Sequence, residues 1–240
     1  MDYRQELTDK FDKHDYDSID FGCSKGGSID YAMSAFGAVN MLGIDIDRKK
    51  VDACIRRGYS AIVGDLTSFP TLNRKVKFSQ LSHFLEHITF EQAEACIKTA
   101  VEVSEAFVYI QQPYFDADPQ LFLKGLKLYW SDWRGHPNRM TSLQFHNILQ
   151  GLKNRSLIDS FVILASIPIK NSNDKAIHSI NSEKDSLNWD PKIHPYKPKI
   201  KFKFPVYYEI KVIISLNGHC SINSVMDRIK WDALIFDSRI

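Results

Sequence analysis

Neither sign of charge dominates this chain: 31 Lys and Arg stand against 29 Asp and Glu in 240 residues, a formal net charge of +2. A balance this close supplies no field for steering a polyanion, so bulk electrostatics gives no support to a nucleic-acid partner. Cysteine is scarce as well. The four residues, Cys23, Cys54, Cys96 and Cys220, are scattered with no C-x-x-C pair. That suggests neither a zinc ribbon nor a disulfide framework and fits a reducing, cytoplasmic setting. No apolar run approaches membrane-spanning length, and the opening MDYRQELTDKFDKHDYD is polar where an export signal has its apolar core. The expectation is a soluble, unexported protein.

Hydrophobic residues make up 44% of the chain, enough for a substantial core, and one elaborated α/β domain over residues 1–240 is expected. The organising stretch is Tyr16 to Cys54. A short apolar strand, Ile19 to Phe21, breaks into Gly22-Cys23-Ser24-Lys25-Gly26-Gly27, and a helix follows. Glycines let a ligand approach the main chain, and the helix start directs unpaired N–H groups and its dipole at that ligand. A second apolar strand, Met41 to Ile44, ends on Asp45, where an acid can accept the hydroxyls of a ribose. The pair reads as a nucleoside site. Counted from Gly22, a G-x-G-x-x-G fingerprint would need a middle glycine where Ser24 stands, which weakens a nicotinamide dinucleotide.

The segment Asp20-Phe21-Gly22-Cys23-Ser24-Lys25-Gly26 resembles motif I of the class I S-adenosylmethionine-dependent methyltransferases, acid-x-Gly-x-Gly-x-Gly, with Ser24 in place of the second glycine. Gly43-Ile44-Asp45-Ile46-Asp47 is similar to the second motif, whose first acid holds the ribose. Val63-Gly64-Asp65-Leu66 is similar to the third, in which the acid takes the adenine amino group and the next N–H meets the ring. Ser82-His83-Phe84-Leu85-Glu86-His87-Ile88 resembles the Leu-Glu-His segment after strand four in the small-molecule, type 11/12-like branch. The resemblance implies a Rossmann-like, seven-stranded, mostly parallel sheet with helices on both faces and a lid insertion. It implies S-adenosylmethionine as cofactor, S-adenosylhomocysteine as product, and a cofactor-binding set of Asp20, Gly22, Cys23, Ser24, Gly26, Asp45, Ile46, Asp65, Leu66 and His83.

In order, the chain predicts a helix over 2–13, strand Ile19–Phe21, helix Ser28–Phe36 closed by Gly37, and strand Val39–Ile44. A helix capped by Asp47 and stopped at Gly58 comes next, then strands at Ser60–Val63 and Phe78–Ser82. A capping box, Thr89-x-x-Gln92, opens a helix to about Ser104, ahead of a fifth strand at Ala106–Ile110. Alternation of this kind implies a parallel sheet with ligands at the carboxyl ends of its strands. Thr141 or Ser142 caps a helix to Leu152, Phe161–Ile169 is the sixth strand and Tyr207–Leu216 the seventh, antiparallel by the family analogy. Ile222–Phe236 reads as a closing helix or tail.

Two insertions stand out. Residues 114–140, dense in Leu, Phe, Tyr and Trp, sit where the resemblance places a substrate-covering lid, which makes Tyr114, Trp130, Trp133 and Arg134 substrate-binding candidates. Residues 170–205 read as a long loop with an edge strand, whose alternating Lys197, Lys199, Lys201 and Lys203 serve edge protection before any anionic acceptor. For catalysis the expectation is in-line displacement at the sulfonium methyl onto an oxygen, nitrogen or carbon of a small-molecule acceptor. His136 and His83 are the base candidates for an oxygen acceptor, with Asp132 orienting one of them. No metal is called for, because strand ends four and five lack paired acids.

Other readings remain open. His83-Phe84-Leu85-Glu86-His87 spells the H-x-x-E-H of inverted zinc proteases, yet Thr89 starts the helix too late to bring both imidazoles to one face. Gln111-Gln112-Pro113-Tyr114 loosely echoes the N-P-P-Y of nucleic-acid amino-methylating enzymes, but after the wrong strand. A nucleic-acid methyltransferase, a non-catalytic S-adenosylmethionine-binding module and a nicotinamide oxidoreductase are the alternatives. Oligomeric state is left open, a homodimer included.

Overall fold

Apolar residues at alternate positions along the central strands build two cores, one against each face of a single sheet, and this decides the architecture. On the strand Ser104–Pro113, Val108 and Ile110 join one core while Phe107 and Tyr109 join the other, and on the strand Ser160–Pro168 Ile163 and Ala165 alternate in the same way with Val162 and Leu164. The computed structural model describes residues 3–216, 218 and 221–240. Asp2, at the start of the expected first helix, and Cys220 lie outside the described residues.

The elements are α1 (Tyr3–Lys13), β1 (Ser18–Phe21), α2 (Gly27–Phe36), β2 (Met41–Asp45), α3 (Arg48–Arg56), β3 (Ser60–Val63), β4 (Val76–Ser82), α4 (Phe90–Val103) and β5 (Ser104–Pro113). There follow α5 (Asp118–Phe122), β6 (Leu126–Leu128), α6 (Ser142–Asn154), β7 (Ser160–Pro168), β8 (Ile177–Ser179), β9 (Tyr207–Ser215), α7 (Ile222–Met226) and β10 (Ala233–Asp237). The main sheet runs β10-β7-β9-β5-β4-β1-β2-β3. β3, β2, β1, β4 and β5 are parallel, and β9 lies antiparallel between β5 and β7. Side chains of α1, α4 and α6 cover one face; those of α2, α3 and α7 cover the other.

The punctuation behaves as its chemistry dictates. Asp47 accepts a hydrogen bond from Lys49 N at 2.9 Å, and the reciprocal capping box between Thr89 and Gln92 is formed. A second box, Thr141 with Gln144, starts α6. Gly37 ends α2 in the left-handed conformation at φ 71°.

Three expectations are corrected. Among the described residues the sheet has eight strands, not seven, because Ala233–Asp237 pairs antiparallel with β7 where a helix or tail was expected. The long loop carries structure of its own: β8 pairs with β6, Leu126 opposite Ser179 and Leu128 opposite Ile177, so the two insertions are clipped together as a two-stranded sheet. The lysine stretch forms no edge strand and contributes only an isolated bridge between Asn171 and Lys201. Its alternation survives without a sheet, since Lys199, Lys201 and Lys203 are exposed while Ile200, Phe202 and Phe204 pack on the core. Lys197 breaks the pattern: it is buried, and its Nζ donates to Asp174 O (2.8 Å) and Ile177 O (2.6 Å) and lies 4.2 Å from the ring centre of Trp189. Two carbonyls and an aromatic face satisfy an ammonium in a way no strand alternation anticipates.

Candidate functional site

At the carboxyl ends of β1 to β4 a cavity of about 650 Å³ opens, in the size range of small-molecule sites. Its floor is the turn after β1. Gly22 N and Cys23 N both donate to Ile44 O, at 2.9 and 3.0 Å, and Gly26 N donates to Cys23 O at 2.8 Å. Gly22 and Gly26 have φ of 80° and 87°, and a Cβ on Gly22 would fall 2.7 Å from Phe84 Cδ2. Only glycine fits such a position. Ser24, standing where the family pattern has its second glycine, takes the left-handed conformation itself at φ 47°. What holds it there is Asp45: Ser24 N donates to Asp45 Oδ2 and Asp47 N to Asp45 Oδ1, both at 2.9 Å. The acid that ends β2 therefore shapes the loop from the strand beside it.

The walls carry the rest. Asp65, at the end of β3, accepts at Oδ1 from Thr67 N (2.9 Å) and Thr67 Oγ1 (2.7 Å), which fixes its carboxylate. Leu66 is buried, whereas Ile46 is 73% exposed although it lines the cavity. A large apolar side chain left bare at a cavity mouth suits the face of a planar ring. Lys25, Lys50, Ser28, Thr67, Phe84, His87 and Ile88 also line it.

Behind the loop lies Asp20, fully buried, its Oδ2 accepting from Ser28 Oγ at 2.5 Å while Oδ1 has no hydrogen-bond partner among the described residues. Burial pushes this carboxyl up to about 7 against the pull of the Ser28 hydrogen bond and the nearby Gln80 amide, and the charge of Asp45 adds to the rise. The Cys23 thiol is held well above its ordinary value, first by its hydrogen bond with Cys54 and then by burial.

Past the end of β4, His83 sits at φ 51°, a strained conformation for a residue with a side chain. Its Nδ1 lies 3.4 Å from Glu86 Oε1, and its Nε2 lies 3.3 Å from Gln111 Nε2 and 3.9 Å from Glu209 Oε1. Desolvation pulls this imidazolium down, but the hydrogen bond and charge of Glu86, joined by the charge of Glu209, outweigh it and the net shift is upward. Glu86 is itself almost fully buried on the tight turn of residues 85–87.

Of the sequence-predicted cofactor set, Gly22, Cys23, Ser24, Asp45, Ile46, Asp65, Leu66 and His83 line this one cavity; Asp20 and Gly26 lie outside its lining, Asp20 behind the loop and Gly26 at the N-terminus of α2. None of residues 114–140 lines it. Tyr114 and Trp130 are buried in the main core, where Trp130 Nε1 donates to Tyr114 O at 3.1 Å. Trp133 packs against that core and Arg134 pairs with Asp185. Asp132, expected to orient a histidine, faces Lys127 Nζ at 2.6 Å. His136 is buried behind His87, with ring centres 4.9 Å apart, and burial lowers its pKa despite the Trp130 carbonyl at its Nδ1. The H-x-x-E-H segment forms a strand end and a tight turn rather than a helix, so its two histidines do not share a helical face. Lys25, Lys50 and Thr67 carried no signal beyond adjacency to the loop and strand ends, and Phe84 none beyond its place in the post-strand segment.

No family model and no curated protein matches the sequence. Solved structures do resemble the fold. An S-adenosylmethionine-dependent methyltransferase from Archaeoglobus fulgidus is 14% identical, with a TM-score of 0.55 over 88% of this chain and 94% of that one. The YcgJ protein from Bacillus subtilis is 13% identical, with a TM-score of 0.54 over 90% and 99%. The methyltransferase domain of a bacterial protein, CtHen1-CN, is 11% identical, with a TM-score of 0.52 over 88% and 96%. The chain thus has the Rossmann-like fold of the class I methyltransferases, with an additional strand at the sheet edge.

Proposed function

We propose that the protein is an S-adenosylmethionine-dependent methyltransferase acting on a small-molecule acceptor. The observation that carries this reading is the convergence of the turn at residues 22–26 with two carboxylates, Asp45 and Asp65, and two apolar side chains, Ile46 and Leu66, around one cavity at the strand ends. An adenosyl group matches that set: hydroxyls to Asp45, the amino edge to Asp65, the ring between Ile46 and Leu66. Its amino-acid tail lies over the loop, near the buried Asp20. The sulfonium is an activated methyl donor, so the chain's task is to hold donor and acceptor in line and exclude water. His83, which lines the cavity beyond the loop, is the base for an oxygen acceptor. The segment 114–140 braces the acceptor-side wall from behind, where Gly135 O and the His136 ring meet His87.

Differential thermal stabilisation tests the reading. S-adenosylhomocysteine at 100 times its dissociation constant stabilises the fold by about 2.7 kcal/mol, whereas NAD(H) at the same concentration leaves the transition in place. Stabilisation by NAD(H) alone would overturn the assignment in favour of an oxidoreductase.

A further inference from the structure

Beside the cavity, three ligand-capable side chains, Glu86, His87 and His136, come together. His87 Nδ1 lies 2.8 Å from Gly135 O, and His136 Nδ1 lies 3.0 Å from Trp130 O. A carbonyl oxygen only accepts, so in each neutral ring Nδ1 carries the proton and Nε2 the lone pair. The third member is Glu86, 1% exposed, whose Oε2 is buried with no hydrogen-bond partner among the described residues. Ligand-capable atoms of Glu86, His87 and His136 all lie within 4.8 Å of one another. A buried, unserved carboxylate oxygen is costly unless a cation or a proton answers it.

We infer that Glu86, His87 and His136 form a binding site for one divalent transition-metal ion at the edge of the cavity. Two imidazoles and one carboxylate are a donor set for zinc or a neighbouring first-row metal rather than for magnesium or calcium, which take oxygen ligands. Metal bonds of roughly 2.0–2.2 Å place donors about 3–4 Å apart, so no pair needs to close by more than about 1–2 Å on binding. Each ligand already has the outer partner that fixes its orientation: a backbone carbonyl behind each imidazole, and His83 Nδ1 at 3.4 Å from Glu86 Oε1. The segment bearing His136 is anchored to the turn bearing the other two ligands, for Asn138 Nδ2 donates to Leu85 O at 3.0 Å and Asn138 N to Glu86 O at 3.4 Å. His83 is an outer partner here and not a ligand, so the set differs from that of H-x-x-E-H proteases. Three protein ligands leave coordination positions open, and His87 lines the cavity. On the methyltransferase reading, those positions take an acceptor oxygen and acidify it, which narrows the acceptor to one with a hydroxyl able to bind a metal.

The test uses the full chain, stripped with a chelator and titrated with ZnCl₂ in competition with a chromophoric chelator. One zinc per chain is expected. Glu86→Gln, His87→Ala and His136→Gln should each weaken it by more than the roughly 10–100-fold that loss of an outer-shell partner costs, while His14→Ala leaves it unchanged. His87 is exposed, so its variant keeps the test valid if the substitution at the buried His136 prevents folding. Wild-type protein that takes up no zinc, or uptake untouched by His87→Ala and Glu86→Gln, would overturn the site and leave a shared proton as the answer to the buried carboxylate. Thermal stabilisation by S-adenosylhomocysteine, read on the same samples, separates the two claims. Cofactor binding without zinc sinks the metal site alone; zinc binding without the cofactor supports the site and sinks the cofactor reading.

Discussion

Asp20→Asn should make the ligand-free protein more stable above neutral pH. The wild-type carboxyl is fully buried and lifted from 3.8 to about 7. In the unfolded chain it ionises near 3.8; in the folded protein it stays neutral until about 7. Its unfavourable contribution is therefore absent below pH 4, grows as pH rises from 4 to 7, and is constant above. At 1.36 kcal/mol per pH unit, the roughly three-unit gap amounts to about 4 kcal/mol at pH 8. Asparagine keeps the shape and the oxygen that accepts from Ser28 Oγ while removing the charge. Urea unfolding at pH 5 and pH 8 reads the effect as a difference between wild type and variant, so groups that titrate in both cancel. Relative to its standing below pH 4, the variant should gain about 4 kcal/mol over the wild type at pH 8 and about 1.5 kcal/mol at pH 5. Calorimetry in buffers of different ionisation enthalpy should show, near pH 6, proton release on S-adenosylmethionine binding to the wild type that the variant lacks, because a cationic ligand over the loop favours the carboxylate. Parallel wild-type and variant stabilities across the range would refute the reasoning.

Asp45→Ala strips acceptors from Ser24 N and Asp47 N; a loss of about 2–3 kcal/mol in chemical denaturation is expected, together with at least tenfold weaker S-adenosylhomocysteine binding in calorimetry. Gly22→Ala meets both a positive φ and Phe84, which should cost about 1–3 kcal/mol; in a denaturation series, Phe84→Ala should restore the steric share and leave the backbone share. Alanine at Lys199, Lys201 and Lys203, all exposed, should leave cofactor affinity unchanged, and filter binding should find no salt-dependent RNA binding to lose; a steep salt slope abolished by these changes would favour a nucleic-acid acceptor.

The half of the fold that carries the cavity was legible because its signals are local. Glycines at 22 and 26, Asp47 as a cap, and Thr89 with Gln92 each act within a few residues, and the structure realises each of them. What escaped depends on distance. β6 and β8 have three residues each, too short for any periodicity, and they exist only as partners across some fifty positions. Lys197 looked like one of an alternating set until two carbonyls and Trp189 came around it. β10 carries a register shift between Leu234 and Phe236 that blurs a period of two. At the site, Glu86 and His87 are adjacent in sequence, but His136 joins them only through the packing of residues 130–138 on the turn at 85–87. Spacing along the chain could not reveal a third ligand that arrives from another segment.

Calorimetric titration of the purified full chain with S-adenosylhomocysteine tests the central claim most directly. Saturable heat at one ligand per chain, much reduced by Asp45→Ala, is the result this account predicts; a wild-type titration without heat, or one indifferent to the loss of that carboxylate, would contradict it.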